Sequence, residues 1–150
     1  MDAVSYPKNG VWEFISERVV PLRLKSDAQP ESSDFNVKWT PTLVTLDPDG
    51  VEHHRTVGFL AAEELMPSIV LGIAKVHYDA DRFDEALGGL KEIEKDHPES
   101  DSTPEALFLK GVCLYKSTQE PSHLKYAYEK LNSKYPGSEW ARRADPYKLL

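Results

Sequence analysis

The side chains through which this chain could do chemistry are few: one cysteine, five histidines and a surplus of carboxylates. Thiol–disulfide exchange needs two sulfurs, one thiolate to attack and a second to resolve the mixed disulfide. Cys113 is the sole thiol, so the chain cannot run that cycle by itself. It sits between Val112 and Leu114 in the most apolar helical stretch, where burial raises a thiol's pKa and removes its reactivity; a small packing residue is expected. His53 and His54 invite a metal reading, but adjacent residues of a strand point to opposite faces and do not readily chelate one ion. Asp79, Asp81 and Asp84 mimic the start of a calcium loop, yet the loop's glycine at the sixth position and glutamate at the twelfth are both missing. A turn between helices is the expectation there. No catalytic residue, metal ligand or cofactor is assigned.

The remaining feature is Trp39-Thr40-Pro41-Thr42, leading into the apolar run Leu43 to Leu46 and the turn Asp47-Pro48-Asp49-Gly50. A Thr-Pro corner at the head of a strand has two readings. In one its peptide bond is cis and its backbone pairs with an extended peptide by strand addition; in the other it is an ordinary trans proline. Trp39 either lines the same groove or packs on a core or edge.

The elements that would position these residues can be read from periodicity. Val11, Phe14, Ile15 and Arg18 fall on one helical face after the Asn9-Gly10 break, giving a short helix that stops near Arg18. From Val19 to Lys25 the period changes to two, with Val20, Leu22 and Leu24 on one face, and predicts a strand. Residues Ser26 to Asn36 are polar and turn-rich, and Phe35, Val37 and Trp39 are expected to cover a sheet edge or face. Thr42 to Asp47 and Val51 to Phe59 form a β-hairpin whose Pro48 presets φ and whose Gly50 supplies the positive φ. On the return strand Val51, His53, Arg55, Val57 and Phe59 are expected to share one face, and Glu52, His54 and Thr56 the other.

Everything after Leu60 reads helical. Leu65, Met66, Ile69, Val70, Ile73 and Val76 make one stripe, which Pro67 should kink or restart. Phe83, Ala86, Leu87, Leu90 and Ile93 make the next, where Gly88-Gly89 calls for close helix–helix approach. Thr103-Pro104-Glu105 opens a third helix reaching about Lys116, Ser122 caps a fourth, and Ser138 caps a short fifth. Tyr115, Tyr126, Tyr128, Tyr135 and Trp140 are read as core packing, with a peptide groove as the alternative. The hexamers Lys95-Asp96-His97-Pro98-Glu99-Ser100 and Ser133-Lys134-Tyr135-Pro136-Gly137-Ser138 lie 38 residues apart, each after an amphipathic helix. Such a period marks helix-hairpin arrays, whose units bury their apolar faces on one another.

The tract Asp81-Arg82-Phe83-Asp84-Glu85-Ala86, with Pro98 twelve residues after Ala86, resembles the second helix of a tetratricopeptide repeat. Large residues are absent where the motif's first helix has them, and the second copy has Leu124 where the motif has alanine. The front of the chain, from Met1 to about Leu65, resembles the second part of a thioredoxin-like domain. The residues that carry this are Tyr6-Pro7 and the helix after it, Val19 to Leu24, Thr40-Pro41-Thr42, the Asp-Pro-Asp-Gly hairpin, and Val57-Gly58-Phe59 before a helix. In that superfamily a cis Thr-Pro pair faces a Cys-x-x-Cys motif, and Met1 with Asp2 to Pro7 resembles the segment just downstream of that motif. The resemblance therefore implies a chain that begins just past the catalytic motif and lacks the strand carrying it. That strand would lie between the counterparts of 19–25 and 42–47, leaving both with unpaired backbone. It also implies that Trp39, Thr40 and Pro41 form the substrate- or partner-holding side of a site whose reactive side is missing.

Composition narrows the rest. A net charge of −7 and scattered basic residues argue against nucleic-acid binding, which needs a concentrated basic face. One cysteine rules out an internal disulfide framework, no apolar run reaches the ~20 residues of a membrane span, and no signal pattern opens the chain; a cytoplasmic protein is expected. The fold class expected is α/β plus all-α: an incomplete thioredoxin-like βαβ, hairpin and helix remnant over residues 1–66, then an antiparallel, tetratricopeptide-like helical unit over 67–150. The expected function is a binding module for a protein or peptide, without redox activity, with homo-oligomerisation through exposed strand edges as a further route. The alternative is a fragment of a thiol-disulfide oxidoreductase whose Cys-x-x-Cys precedes Met1.

Overall fold

A computed structural model describes residues 1, 3–8 and 10–150. Asn9, half of the expected break before the first helix, and Asp2 lie outside the described residues. Among those described, seven α-helices and one two-stranded antiparallel sheet form a mixed, mostly helical fold.

Helix α1 (Val11–Arg18) covers the stretch its apolar spacing predicts and buries Val11 and Ile15. The predicted strand at 19–25 does not form. The segment is without regular structure; Val20 is 95% and Leu22 80% exposed. A strand's main-chain groups need a neighbouring strand, and this sheet holds only β1 (Thr42–Leu46) and β2 (Glu52–Val57). The alternation of Val20, Leu22 and Leu24 has nothing to pack against. The polar stretch before the corner holds a short helix, α2 (Glu31–Asp34), that its composition did not reveal.

The hairpin forms as its turn chemistry dictates. The Asp47 carboxylate accepts from the Asp49 and Val51 amides at 3.0 and 2.8 Å, Gly50 N–H donates to the Asp47 carbonyl at 3.0 Å, and Gly50 takes φ +82°. One feature departs from regular pairing. Thr45 pairs with His54 and Leu46 with Glu52, so His53 is the extra residue of a β-bulge.

The long helix α3 (Ala62–Asp79) runs through residue 66 and through Pro67, which neither ends nor restarts it. A proline at the sixth position deletes one intrahelical bond, the one its missing N–H would have made to the Glu63 carbonyl, close to the helix start. One face of α3 carries the sheet and α1: Leu65 and Ile69 pack with Val11, Ile15 and Leu43. At Gly72 a Cβ would lie 2.3 Å from Thr45 Oγ1, so the missing side chain permits the sheet's approach. Another face of α3 packs on α4 (Phe83–Asp96) and α5 (Thr103–Thr118) through Val70, Leu71, Ala74, Leu90 and Ile93.

A further core joins α5 to α6 (Ser122–Lys134) and α7 (Glu139–Arg143) through Leu107, Leu131 and Ala141, and a 3-10 turn (Asp145–Leu149) ends the chain. At Gly111 a Cβ would meet that of Ala127 at 2.6 Å. Gly89 closes on Val70 in the same manner, but Gly88 faces open space, so close approach accounts for one glycine of that pair. The two repeated hexamers adopt one backbone. His97 and Tyr135 end their helices at φ/ψ −132/49° and −134/51°, and the Ser100 and Ser138 backbone N–H groups donate to the His97 and Tyr135 carbonyls, each at 3.0 Å. The Tyr135 hydroxyl then donates to the Pro98 carbonyl at 2.7 Å, tying one copy to the other.

Candidate functional site

Trp39, Thr40 and Pro41 form one corner at the head of β1. The Thr40–Pro41 peptide bond is cis, as is Gln29–Pro30. Thr42 Oγ1 donates to the Trp39 carbonyl at 2.6 Å, and Gly58 N–H donates to the Pro41 carbonyl at 2.8 Å. Trp39 is 69% exposed, so it packs on no core, while Phe35 and Val37 beside it are half-buried.

The bond from Gly58 to Pro41 sets the phase of the sheet. Opposed residues of an antiparallel pair alternate between bonded and non-bonded. With Thr42 opposite Val57, Leu43 opposite Thr56 and Val44 opposite Arg55, residues 41, 43 and 45 turn their main-chain polar groups toward β2. Thr42 and Val44 turn theirs away. The sheet ends at β1, and among the described residues no other main-chain group bonds them. Large exposed apolar side chains cluster in the same half of the chain: Trp39 at the corner, and Leu46, Val57 and Phe59 on the hairpin.

The two histidines do not part as strand alternation predicts. His54 Nε2 lies 3.2 Å from Ser68 Oγ and His54 Nδ1 3.2 Å from Lys75 Nζ, both on α3. His53 also reaches α3, with Nδ1 2.6 Å from Asp79 Oδ2, while its Nε2 lies 3.2 Å from Asp47 Oδ2. The bulge is the reason: an extra residue shifts the alternation by one, so His53, His54 and Thr56 face the helix and Glu52 and Arg55 the other side. The rings still have separate partners, and no group of three His, Cys, Asp or Glu side chains among the described residues is placed to hold a metal ion.

The Ser68–His54 pair has the outline of a nucleophile and its base, but its proton is on the wrong atom. Lysine only donates, so Lys75 makes His54 Nδ1 the acceptor and leaves the ring proton on Nε2, which donates to Ser68 Oγ. A general base must accept from the hydroxyl instead. Burial, with the Lys75 charge, lowers the His54 pKa to about 4, so the ring is neutral at pH 7, and Ser68 is 5% exposed. Cys113 is fully buried and its thiol is pushed up to about 11 by that burial, as expected of a packing residue. Asp79 and Asp81 lie at the end of α3 and just beyond it, and Asp84 in the first turn of α4, a connection between helices.

A groove of about 330 Å³ lies where β2 meets α3, α5 and α7, lined by His53, Lys75, Tyr78, Asp79, Phe108 and Trp140 among others. Its charges pair with one another: Lys75 with Glu105, and His53 with Asp79. Phe108 meets Trp140 in a tilted contact at 5.2 Å and stacks on Tyr147 at 5.7 Å, and Tyr128 and Tyr135 pack on the same core, whereas Tyr126 is exposed. Most of the C-terminal aromatic side chains are thus packing residues. No described helix is long and apolar enough to cross a membrane. Comparison with protein-family models, curated proteins and solved structures gives no match. What the site offers chemically is main-chain hydrogen bonding at an open edge beside apolar side chains.

Proposed function

We propose that this chain is a protein-binding module that accepts an extended peptide along the free edge of β1, beside Trp39, Thr40 and Pro41. The observation that carries this reading is the pair of outward-facing, unbonded main-chain groups at Thr42 and Val44. An edge of that kind is a template for one more strand, which contributes affinity through main-chain bonds and specificity through alternate side chains. The exposed Trp39 indole is placed to receive one such side chain. The thioredoxin-like and tetratricopeptide-like resemblances belong to the same proposal: the front half holds the peptide and the helical array supports it. A polypeptide rather than a nucleic acid suits a net charge of −7, and a cytoplasmic location forms part of the reading.

The test is to pan the full chain against a displayed random dodecapeptide library and map the enriched peptide by amide exchange. The Thr42 and Val44 amides are expected to gain protection, and Trp39→Ala to weaken binding about tenfold, the loss of an aromatic anchor. Protection confined to the groove between α3, α5 and α7 would overturn the β1 assignment. Protection of Thr42 and Val44 without peptide, rising with protein concentration, would make a second copy the occupant. Disulfide reduction by this chain above a Cys113→Ala control would replace the reading with the oxidoreductase one.

A further inference from the structure

His53 occupies an unusual position. It is the bulged residue of β2, its side chain is 11% exposed, and each ring nitrogen faces a carboxylate oxygen from a different element: Asp79 at the last position of α3 and Asp47 in the hairpin turn. A carboxylate only accepts, and a neutral imidazole carries one N–H; two such contacts at once require the imidazolium. The Asp79 carboxylate sits at the negative end of a helix dipole, where a cation is the favoured neighbour.

We propose that His53 is a proton-operated latch that holds the β-hairpin to the end of helix α3, closed while both ring nitrogens carry protons and released when one is lost. The inference does not depend on the peptide-binding reading.

The surrounding charges leave His53 as the cation for this pair of carboxylates. Lys75, one turn earlier on α3, is engaged by Glu105 of α5 and by His54. Glu52 is held by Arg55 on the opposite face of the strand, and on α7 Glu139 and Arg143 pair with each other. The hydrogen bond to Asp79, with Asp47 adding to it against the effect of burial, raises the His53 pKa above its ordinary 6.5. Stabilisation by the latch is therefore complete below 6.5 and is lost as pH rises through the folded value. At the acid end, the Val51 amide bond first and the His53 contact second lower the Asp47 pKa below 3.8, so its part of the latch fails only as pH falls through that lowered value. Release detaches one wall of the 330 Å³ groove, because His53 and Asp79 both line it.

The experiment is an NMR titration of the histidine Cε1–Hε1 signals of the full chain, with His53 assigned by His53→Gln, alongside amide protection factors at each pH. Two results are expected: His53 titrates above 6.5, and the Asp49 and Val51 amides lose about fivefold protection across that step, the effect of one charge-assisted hydrogen bond. Asp79→Asn should move the titration down toward 6.5 and make that loss at lower pH. Protection at Leu90 and Leu131 should hold throughout. His53 titrating at or below 6.5, hairpin protection constant through the step, or a parallel loss in the helical cores would each overturn the latch. The wild-type titration decides this even if a variant fails to fold.

Discussion

The front of this molecule and its helical half solve the same problem with unequal success. Among the described residues, ten of the thirteen large exposed apolar side chains lie before residue 60, while the buried apolar side chains before that point are Val11 and Ile15 alone. From Ala62 onward the balance reverses, with three consecutive helix interfaces built on Leu71, Leu90, Ile93, Leu107 and Leu131. The difference teaches where each kind of element finds its bonds. A helix satisfies its backbone within its own segment and needs neighbours only for an apolar stripe; a strand needs a neighbour for the backbone itself. The array α3 to α6 is complete by stacking, whereas β1 has a strand on one side only and the segment 19–25 carries strand-like sequence without a strand beside it.

The contrast breaks most directly by core truncation. Leu90 is fully buried between α3, α4 and α5, so Leu90→Ala should cost about 2–5 kcal/mol in urea unfolding, while Leu22→Ala should stay within ~0.5 kcal/mol. A comparable cost for the two would erase the distinction between the halves.

Acid sharpens the comparison at the joint between them. With its pKa lowered to about 4 by burial and Lys75, His54 contributes stability above the unfolded value of 6.5 that is lost as pH falls from there toward 4. The loss should be on the order of 3 kcal/mol, and His54→Gln should flatten it. The latch at His53 runs in the opposite direction, so the two adjacent histidines bound a window of greatest hairpin stability from both sides. Denaturant unfolding followed from pH 6.5 down to 4 checks the sign, since stability that rises on acidification over that range would contradict a neutral, buried His54.

A smaller effect tests how tightly the helices stack. Gly111→Ala pushes a Cβ to 2.6 Å from Ala127 and should cost about 1–3 kcal/mol. Gly88→Ala meets open space and should stabilise α4 by roughly 0.5–1 kcal/mol through helix propensity. Thermal midpoints of the two variants should move in opposite directions.

Much of this arrangement is legible in the residue order because it rests on local rules. The apolar stripes of α3 to α6, the stop near Arg18, the Asp47 to Gly50 turn and the Ser138 cap, which accepts from Ala141 N–H at 3.0 Å, each involve residues within a few positions of one another. The repeated hexamers are visible as letters 38 residues apart and share a backbone. Within the candidate site, Trp39, Thr40 and Pro41 stand out as a contiguous corner, but the open edge at Thr42 and Val44 is reached from the sequence only through a resemblance.

What escaped the sequence depends on contacts between distant residues. The ladder phase at β1 is set by Gly58 meeting Pro41, and the polar ties of the helical half join Glu94 to Lys110 and Lys130. No local pattern announces that Val19 to Lys25 lacks a strand partner, or that His53 is the extra residue of a bulge and so turns toward Asp79, 26 residues away. Residue order settled which of the longer segments coil and where they stop, the short α2 excepted, since those energies are spent within one turn of chain. Folding in three dimensions settled which strand edge stays open, which glycine is crowded and which histidine lies between two carboxylates, because each is decided by what the chain brings alongside.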